Sequence, residues 1–215
     1  MLTDPTSSAS AFMGILLVIT SLYLQSQTFV DPTIRAVSIQ SFVLAGAFAL
    51  LYLSYSDFTL IYVAVITLVA RGIIIPWVML YQVRRFKYSL RENARKNPSF
   101  VILGVIIIFL AYVLFSSTIL PLFKNQLMVV PLAIVFLGLL LIITRRNALM
   151  QLAGFLEEEN AVLYLGGLLS PTLPLLIEFA VVLDILGVIL VGVILSDVRG
   201  ALKTLESPDL EELKG

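Results

Sequence analysis

The chain contains no cysteine and no histidine. Thiolate and imidazole ligation of iron–sulfur clusters, haem, zinc or nickel is therefore closed to it, and no bound cofactor is expected in this chain. Charge is scarce as well: charged residues make up 13% of the 215, and 14 Lys and Arg balance 14 Asp and Glu. With no positive excess to neutralise a phosphate backbone, nucleic acid is not expected as a partner. The start, MLTDPTSSASAF, lacks the basic n-region and the A-x-A-like cleavage site of a secretory signal and is expected to be mature sequence.

What the chain does have is apolar length. Hydrophobic residues make up 60% of it and the mean hydropathy is +1.04, against about 45–50% apolar residues in ordinary soluble domains. A spanning helix uses about 20 apolar residues, so the chain holds at most about eight or nine spans and no sizeable domain outside the bilayer. Seven apolar runs stand out, at about 9–24, 36–54, 58–80, 100–119, 128–144, 148–169 and 172–195. Short joints separate them, among them Asp31-Pro32, Ser54-Tyr55-Ser56-Asp57 and Ser170-Pro171-Thr172-Leu173-Pro174. The runs are twice as long as barrel strands and lack their alternation, so they are helices.

Basic residues accumulate in cytoplasmic loops. With the N-terminus outside, twelve fall inside, from Arg35 through the Arg84–Lys96 cluster, Arg145 and Arg146 to Arg199, Lys203 and Lys214, while Lys124 alone falls outside. The expected fold is thus an all-α integral membrane protein of seven transmembrane helices, N-terminus outside and C-terminus cytoplasmic. It divides into a four-helix region (1–123), a three-helix region (124–196) and a cytoplasmic tail (197–215), where Ser207-Pro208-Asp209 begins a short capped helix.

Six ionisable residues lie inside apolar runs: Arg71, Glu157, Glu158, Glu159, Glu178 and Asp184. One charge at the bilayer centre costs roughly 2.5–3.5 kcal/mol on insertion scales, so such residues pair or line a pathway. Arg71 is about 13 Å from the nearer end of its helix, too deep for easy snorkelling. Pro76 removes the backbone bond to the Gly72 carbonyl and marks a kink beside Arg71. Successive helical positions turn by about 100°, so the three glutamates cannot share one partner. The stripe Glu157, Asn160 and Tyr164 turns Glu157 inward.

Residues 147–160 also fit a cytoplasmic amphipathic helix, but the span would then begin at Ala161 and put Ser170-Pro171 and Pro174 mid-membrane. In the preferred arrangement the glutamates and Asp184 each lie about 18 Å from a helix end, near the midplane, with Glu178 about 9 Å further out. Carboxyls at similar depth on adjacent helices suit a proton path, with fixed ion pairs as the alternative. Gly166, Gly167, Gly187 and Gly192 are expected to allow close helix approach.

The segment Arg146-Asn147-x-Leu149-x-Gln151-x-x-Gly154-x-x-x-x-Glu159-Asn160, followed by Glu178-x5-Asp184, resembles the E component of hydrogenase-4 and its formate hydrogenlyase relatives. The resemblance extends to Gln40-Ser41, to the spacing of Arg71 and Pro76, and to Leu213-Lys214-Gly215. It implies a non-catalytic membrane subunit of a group-4-type [NiFe] hydrogenase or formate hydrogenlyase complex, similar to respiratory complex I, in a prokaryotic cell membrane. Nickel–iron and iron–sulfur centres would then belong to peripheral partner subunits, and the membrane neighbours would be antiporter-like and quinone-site subunits. The last three helices resemble the small K subunit of complex I, whose membrane carboxylates belong to a proton-transfer axis.

The resemblance points to Glu159 as the inward glutamate, ahead of Glu157, and places lysine where this chain has Arg71. Arginine does not readily release a proton, so the resemblance leaves that position an electrostatic role. Two rival readings are an autonomous secondary transporter and a purely structural scaffold. Transporters of that kind commonly pair broken helices, and only the third run carries a clear break.

The uneven distribution of basic residues generates a test. Single cysteines placed at Lys87 and Ser207 should be labelled only from the cytoplasmic side, and one at Lys124 only from outside. Labelling of the Lys87 and Lys124 positions from one side would reject the seven-helix topology.

Overall fold

Turn chemistry sets the helix ends. The computed structural model describes residues 5–86, 97–123, 125–170, 172 and 184–194, and all its elements are helical. Helix α1 (Pro5–Ser26) begins on a proline, whose missing N–H is no loss in a first turn. Helix α2 (Val30–Tyr55) starts earlier than the apolar run suggests. Asp31 and Pro32, expected as a joint, instead form its first turn. An acid is favourable there, a proline is tolerated, and Thr33 Oγ1 donates to the Phe29 carbonyl at 2.8 Å.

The second joint is as tight as its residues suggest. Ser56 takes the left-handed conformation and closes α2 onto the Tyr52 carbonyl, and Asp57 caps the next helix by accepting from the Thr59 amide at 2.9 Å. Hydrogen bonds from Thr59 hold the Asp57 carboxyl below its ordinary range.

The third rod is continuous but not uniform: α3 (Phe58–Ile66), a π segment (Thr67–Ile74) and α4 (Ile75–Phe86). The fourth repeats the device with α5 (Asn97–Leu114), a π segment (Phe115–Ile119) and α6 (Leu120–Phe123). Both π segments end two residues before a proline, Pro76 and Pro121. A proline has no N–H and crowds the preceding turn, and widening that turn relieves the clash. The expectation that only the third helix is broken is therefore corrected. The second break lies among exposed Ser116, Ser117 and Thr118, whose hydroxyls return to carbonyls of their own helix.

Asn125 caps a 3₁₀ turn (Gln126–Met128) that leads into α7 (Val129–Thr144), and Asn147 caps α8 (Ala148–Leu169). Helix α9 is described over Asp184–Ile194. Five rods are long and apolar enough to cross a membrane: Ser8–Ser26, Val30–Tyr55, Phe58–Arg84, Ser99–Thr118 and Gln126–Thr144. The 22 residues of α8 are comparable in length, and α8 carries the three glutamates.

Contacts give the helix directions. Gly138 meets Gly154 and Glu158 while Ile142 also meets Gly154, so α7 and α8 run antiparallel. Gly14 faces Val130 and Gln25 reaches Leu137, so α1 and α7 are parallel. Gln40 and Phe48 of α2 meet Asn160 and Gly167 of α8, also in parallel. Arg71 meets Asp184 and Gln82 meets Val188, so the third rod and α9 share a direction.

The core is layered along the bundle axis. One apolar cluster contains Leu17, Leu44, Phe48, Leu60, Val63 and Tyr164, and the other contains Leu24, Ile34, Val37, Ile75, Met79 and Leu156. Between them, on α1, α2, the third rod and α8, lie the buried polar residues Ser21, Gln40, Ser41, Arg71, Glu157 and Asn160. A thin polar sheet thus sits between two dry layers.

Among the described glycines, those of the α7–α8 contact make the closest backbone approach. A Cβ on Gly138 would lie 2.8 Å from the Gly154 carbonyl oxygen, and one on Gly154 would lie 2.9 Å from the Gly138 carbonyl oxygen. Of the other glycines, Gly167 packs on Phe48 and Gly192 on the Gln82 amide, whereas Gly187, expected at a close approach, has nothing within 4 Å. Overpacking of this kind costs about 1–3 kcal/mol. Gly138→Ala should therefore lower the unfolding temperature in detergent, while Gly46→Ala, whose Cβ would meet only Met13 at 3.7 Å, should leave it nearly unchanged.

Candidate functional site

Arg71 sits inside the π segment, in the part of the third rod where backbone pairing shifts from four residues to five. The Ile75 amide donates to the Ala70 carbonyl, and the Gly72 carbonyl, denied an α-helical donor by Pro76, accepts the Ser38 hydroxyl of α2 at 2.5 Å. The carbonyl expected to be free beside Pro76 is thus taken by α2. The widened turn carries the Arg71 side chain into the polar layer, where it is 2% exposed.

Three side chains from two helices meet it. Arg71 Nη2 lies 3.1 Å from Asp184 Oδ2 of α9, and Nη1 lies 3.5 Å from Glu159 Oε2 of α8. Nη1 also donates to Asn160 Oδ1 at 3.3 Å. Adjacent positions on α8, about 100° apart, straddle the guanidinium, so Glu159 and Asn160 both reach it. The structure therefore brings Arg71, Glu159 and Asp184 together. Glu178 lies outside the described residues.

The other two glutamates separate. Glu157 is 0% exposed, and neither carboxyl oxygen closes a hydrogen bond among the described residues. Its polar neighbours are Ser21 of α1 and Gln40 of α2. It shares a stripe with buried Asn160 and Tyr164, and the Tyr164 ring meets Phe48 edge-on at 6.4 Å. Glu158 is half-buried with its Cβ beside Gly138.

An amide network joins the two carboxyl environments. Asn160 Nδ2 donates to Gln40 Oε1 at 3.3 Å and to Ser41 Oγ at 3.1 Å, and Gln40 Nε2 donates to Ser21 Oγ at 2.8 Å. Ser41 Oγ in turn donates to the Val37 carbonyl at 3.1 Å. Among the described residues no group of three or more acidic side chains could hold a metal ion.

Three further buried polar residues escape the sequence reading. Arg145, grouped there with the loop charges, is 2% exposed; it donates to the Gln25 carbonyl at 2.6 Å and lies 5.6 Å from the Phe100 ring centroid. Gln25 Nε2 donates to the Leu137 carbonyl at 2.8 Å, and Gln82 Nε2 to the Val188 carbonyl at 2.9 Å. The only signal for the two glutamines is an uncharged amide inside an apolar run, which scarcely changes hydropathy. Together these contacts tie α1, α5 and α7, and α4 to α9, outside the Arg71 cluster.

Removing one partner of a buried ion pair costs about 3–5 kcal/mol, because the remaining charge is left unpaired. Arg71→Ala should therefore impair assembly or function, with reduced yield and a lowered unfolding temperature. Arg71→Lys, which keeps the charge but loses the two-nitrogen fork, should be milder. Normal assembly and function of Arg71→Ala would contradict the role given to the guanidinium.

No family model and no solved structure matches the chain. Curated relatives do. Proteins described as Hydrogenase-4 component E from Escherichia coli K12, Escherichia coli O157:H7 and Shigella flexneri are each 26% identical to it over 204 residues, covering 93% of this chain and 94% of theirs. Distantly but along nearly its whole length, the chain is similar to Hydrogenase-4 component E.

Proposed function

We propose that the chain is a non-catalytic, multi-pass subunit of a membrane-bound, complex I-like hydrogenase or formate hydrogenlyase assembly in a prokaryotic cell membrane, and that it contributes to ion translocation. The observation that carries this reading is one buried guanidinium facing two carboxyls, Glu159 and Asp184, from different helices. With every group ionised the trio has a net charge of −1, and it becomes neutral on taking up one proton. Buried net charge is costly, so such a set is suited to bind and release a single proton, or a sodium ion in its place. Arg71 holds its charge throughout, and exchange belongs to the carboxyls.

Seven spans with the N-terminus outside complete the reading, and the alternating helix directions and the basic-residue count support it. Within this arrangement the region 124–196 is the K-like part that supplies Glu159 and Asp184, and the region 1–123 supplies Arg71. Glu178 extends the path outward. Exposed apolar faces such as that of α5, with Ile102, Phe109 and Tyr112 outward, are available to lipid and to neighbouring antiporter-like and quinone-site subunits, which the chain helps to anchor. The metal centres reside in the peripheral hydrogenase subunits.

Amide isosteres separate proton exchange from packing. Glu159→Gln and Asp184→Asn should assemble with redox turnover partly retained, while protons moved per electron fall in proteoliposomes. Unchanged pumping in both single variants and in the double variant would reject the reading and leave a scaffold.

A further inference from the structure

Arg71 decides which way each amide in the polar layer points. A guanidinium has donors only, so the Asn160 group facing it is the carbonyl oxygen. The Asn160 NH₂ then faces away and donates to the Gln40 oxygen. Gln40 is oriented the same way: its oxygen is taken by Asn160 and its NH₂ donates to Ser21 Oγ. Ser21 accepts there, which leaves its own hydroxyl hydrogen, and no carbonyl receives it among the described residues. The group beside it is the carboxyl of Glu157, fully buried and without a hydrogen bond among those residues. Every donor in the series thus points from Arg71 towards Glu157.

Among the described residues no charge faces that carboxyl directly. Ser21 and Gln40 are its interacting partners from α1 and α2. Helix α7 has no titratable side chain, the titratable residue of α1 is exposed Tyr23, and those of α2 (Asp31, Arg35, Tyr52 and Tyr55) lie near its ends. On α8 itself Glu158 and Glu159 lie on other faces, and Tyr164 is seven residues on. The third rod contributes Arg71, which reaches Glu157 only through Asn160, Gln40 and Ser21.

We propose that Glu157 is a second proton-exchanging carboxyl, coupled to the Arg71 ion pairs through the Asn160–Gln40–Ser21 hydrogen-bond chain, with those three as positioning residues. When Glu157 is ionised, the aligned donors stabilise it and hold the Asn160 oxygen on Arg71. When it is protonated, the alignment loses its acceptor, and Arg71 leans more heavily on Glu159 and Asp184. Hydrogen-bonded chains in a low-dielectric interior polarise one another, so the two carboxyl sites sense each other without contact. A neutral amide neither gives up nor takes on a proton readily, and so the amides transmit polarity while keeping the two protons apart. This deepens the proposed ion-translocating role and rests on it for biological meaning.

The test is pH-dependent infrared difference spectroscopy of the assembled complex, following the C=O stretch of protonated carboxyls. A band lost in Glu157→Gln and retained in Glu159→Gln identifies the Glu157 proton. In Gln40→Leu, and in the smaller change Ser21→Ala, that band should be half-formed at a proton concentration at least tenfold lower, because the ionised form loses its donors. If Gln40→Leu fails to assemble, Ser21→Ala decides. Absence of a titrating band assigned to Glu157 overturns the second site, and a band unmoved in Ser21→Ala overturns the coupling. Unchanged pumping in Glu159→Gln and Asp184→Asn with the band shifts intact would reject the translocation reading while leaving the coupling standing.

Discussion

Burying one guanidinium at mid-bundle is the constraint around which the rest of the structure is arranged. Arg71 needs counter-charges and acceptors that no single helix supplies. It draws Glu159 and Asn160 from α8 and Asp184 from α9, and through Asn160 it orders Gln40 of α2 and Ser21 of α1. A residue that can only donate thereby imposes a direction on a network of amides that could each point either way. The dry clusters above and below the polar layer matter equally, since a low-dielectric flank strengthens each of these interactions.

The π segment and the glycines are the backbone's share of the arrangement. Pro76 cannot complete an α-helical turn, and the widened turn before it sets where the Arg71 side chain emerges. Pro121 produces the same irregularity in the fourth rod, where exposed hydroxyls satisfy themselves locally and no charged partner is gathered among the described residues. The difference is the surroundings, not the local sequence device. On the other side, the mutual approach of Gly138 and Gly154 packs α8 closely on α7, so the face of α8 bearing Glu159 and Asn160 is presented to the third rod and α2.

Much of this was legible in the sequence because hydrocarbon permits few solutions. Composition and run length demand spanning helices, the absence of cysteine and histidine removes metal chemistry of the thiolate and imidazole kind, and a deep arginine demands acidic company. The similar level of Glu159 and Asp184 on their helices was expected from the helical rise, and the structure brings both to Arg71. So was the separation of the three glutamates, because 100° per residue forbids a shared partner.

Tertiary structure decided the rest. Helical periodicity favoured Glu157 as the inward glutamate and the family resemblance favoured Glu159. The structure gives each an interior environment of its own: Ser21 of α1 and Gln40 of α2 neighbour Glu157, while Arg71 of the third rod meets Glu159. No one-dimensional pattern carries that, since a helix inside a bundle has more than one inner face. Asp31-Pro32 resembles a joint yet opens a helix, and Arg145 counts as a loop charge yet is buried on the Gln25 carbonyl. The direction of the amide chain was equally invisible. Each depends on which neighbour supplies a missing donor or acceptor, and neighbours distant in sequence are chosen only when the helices pack.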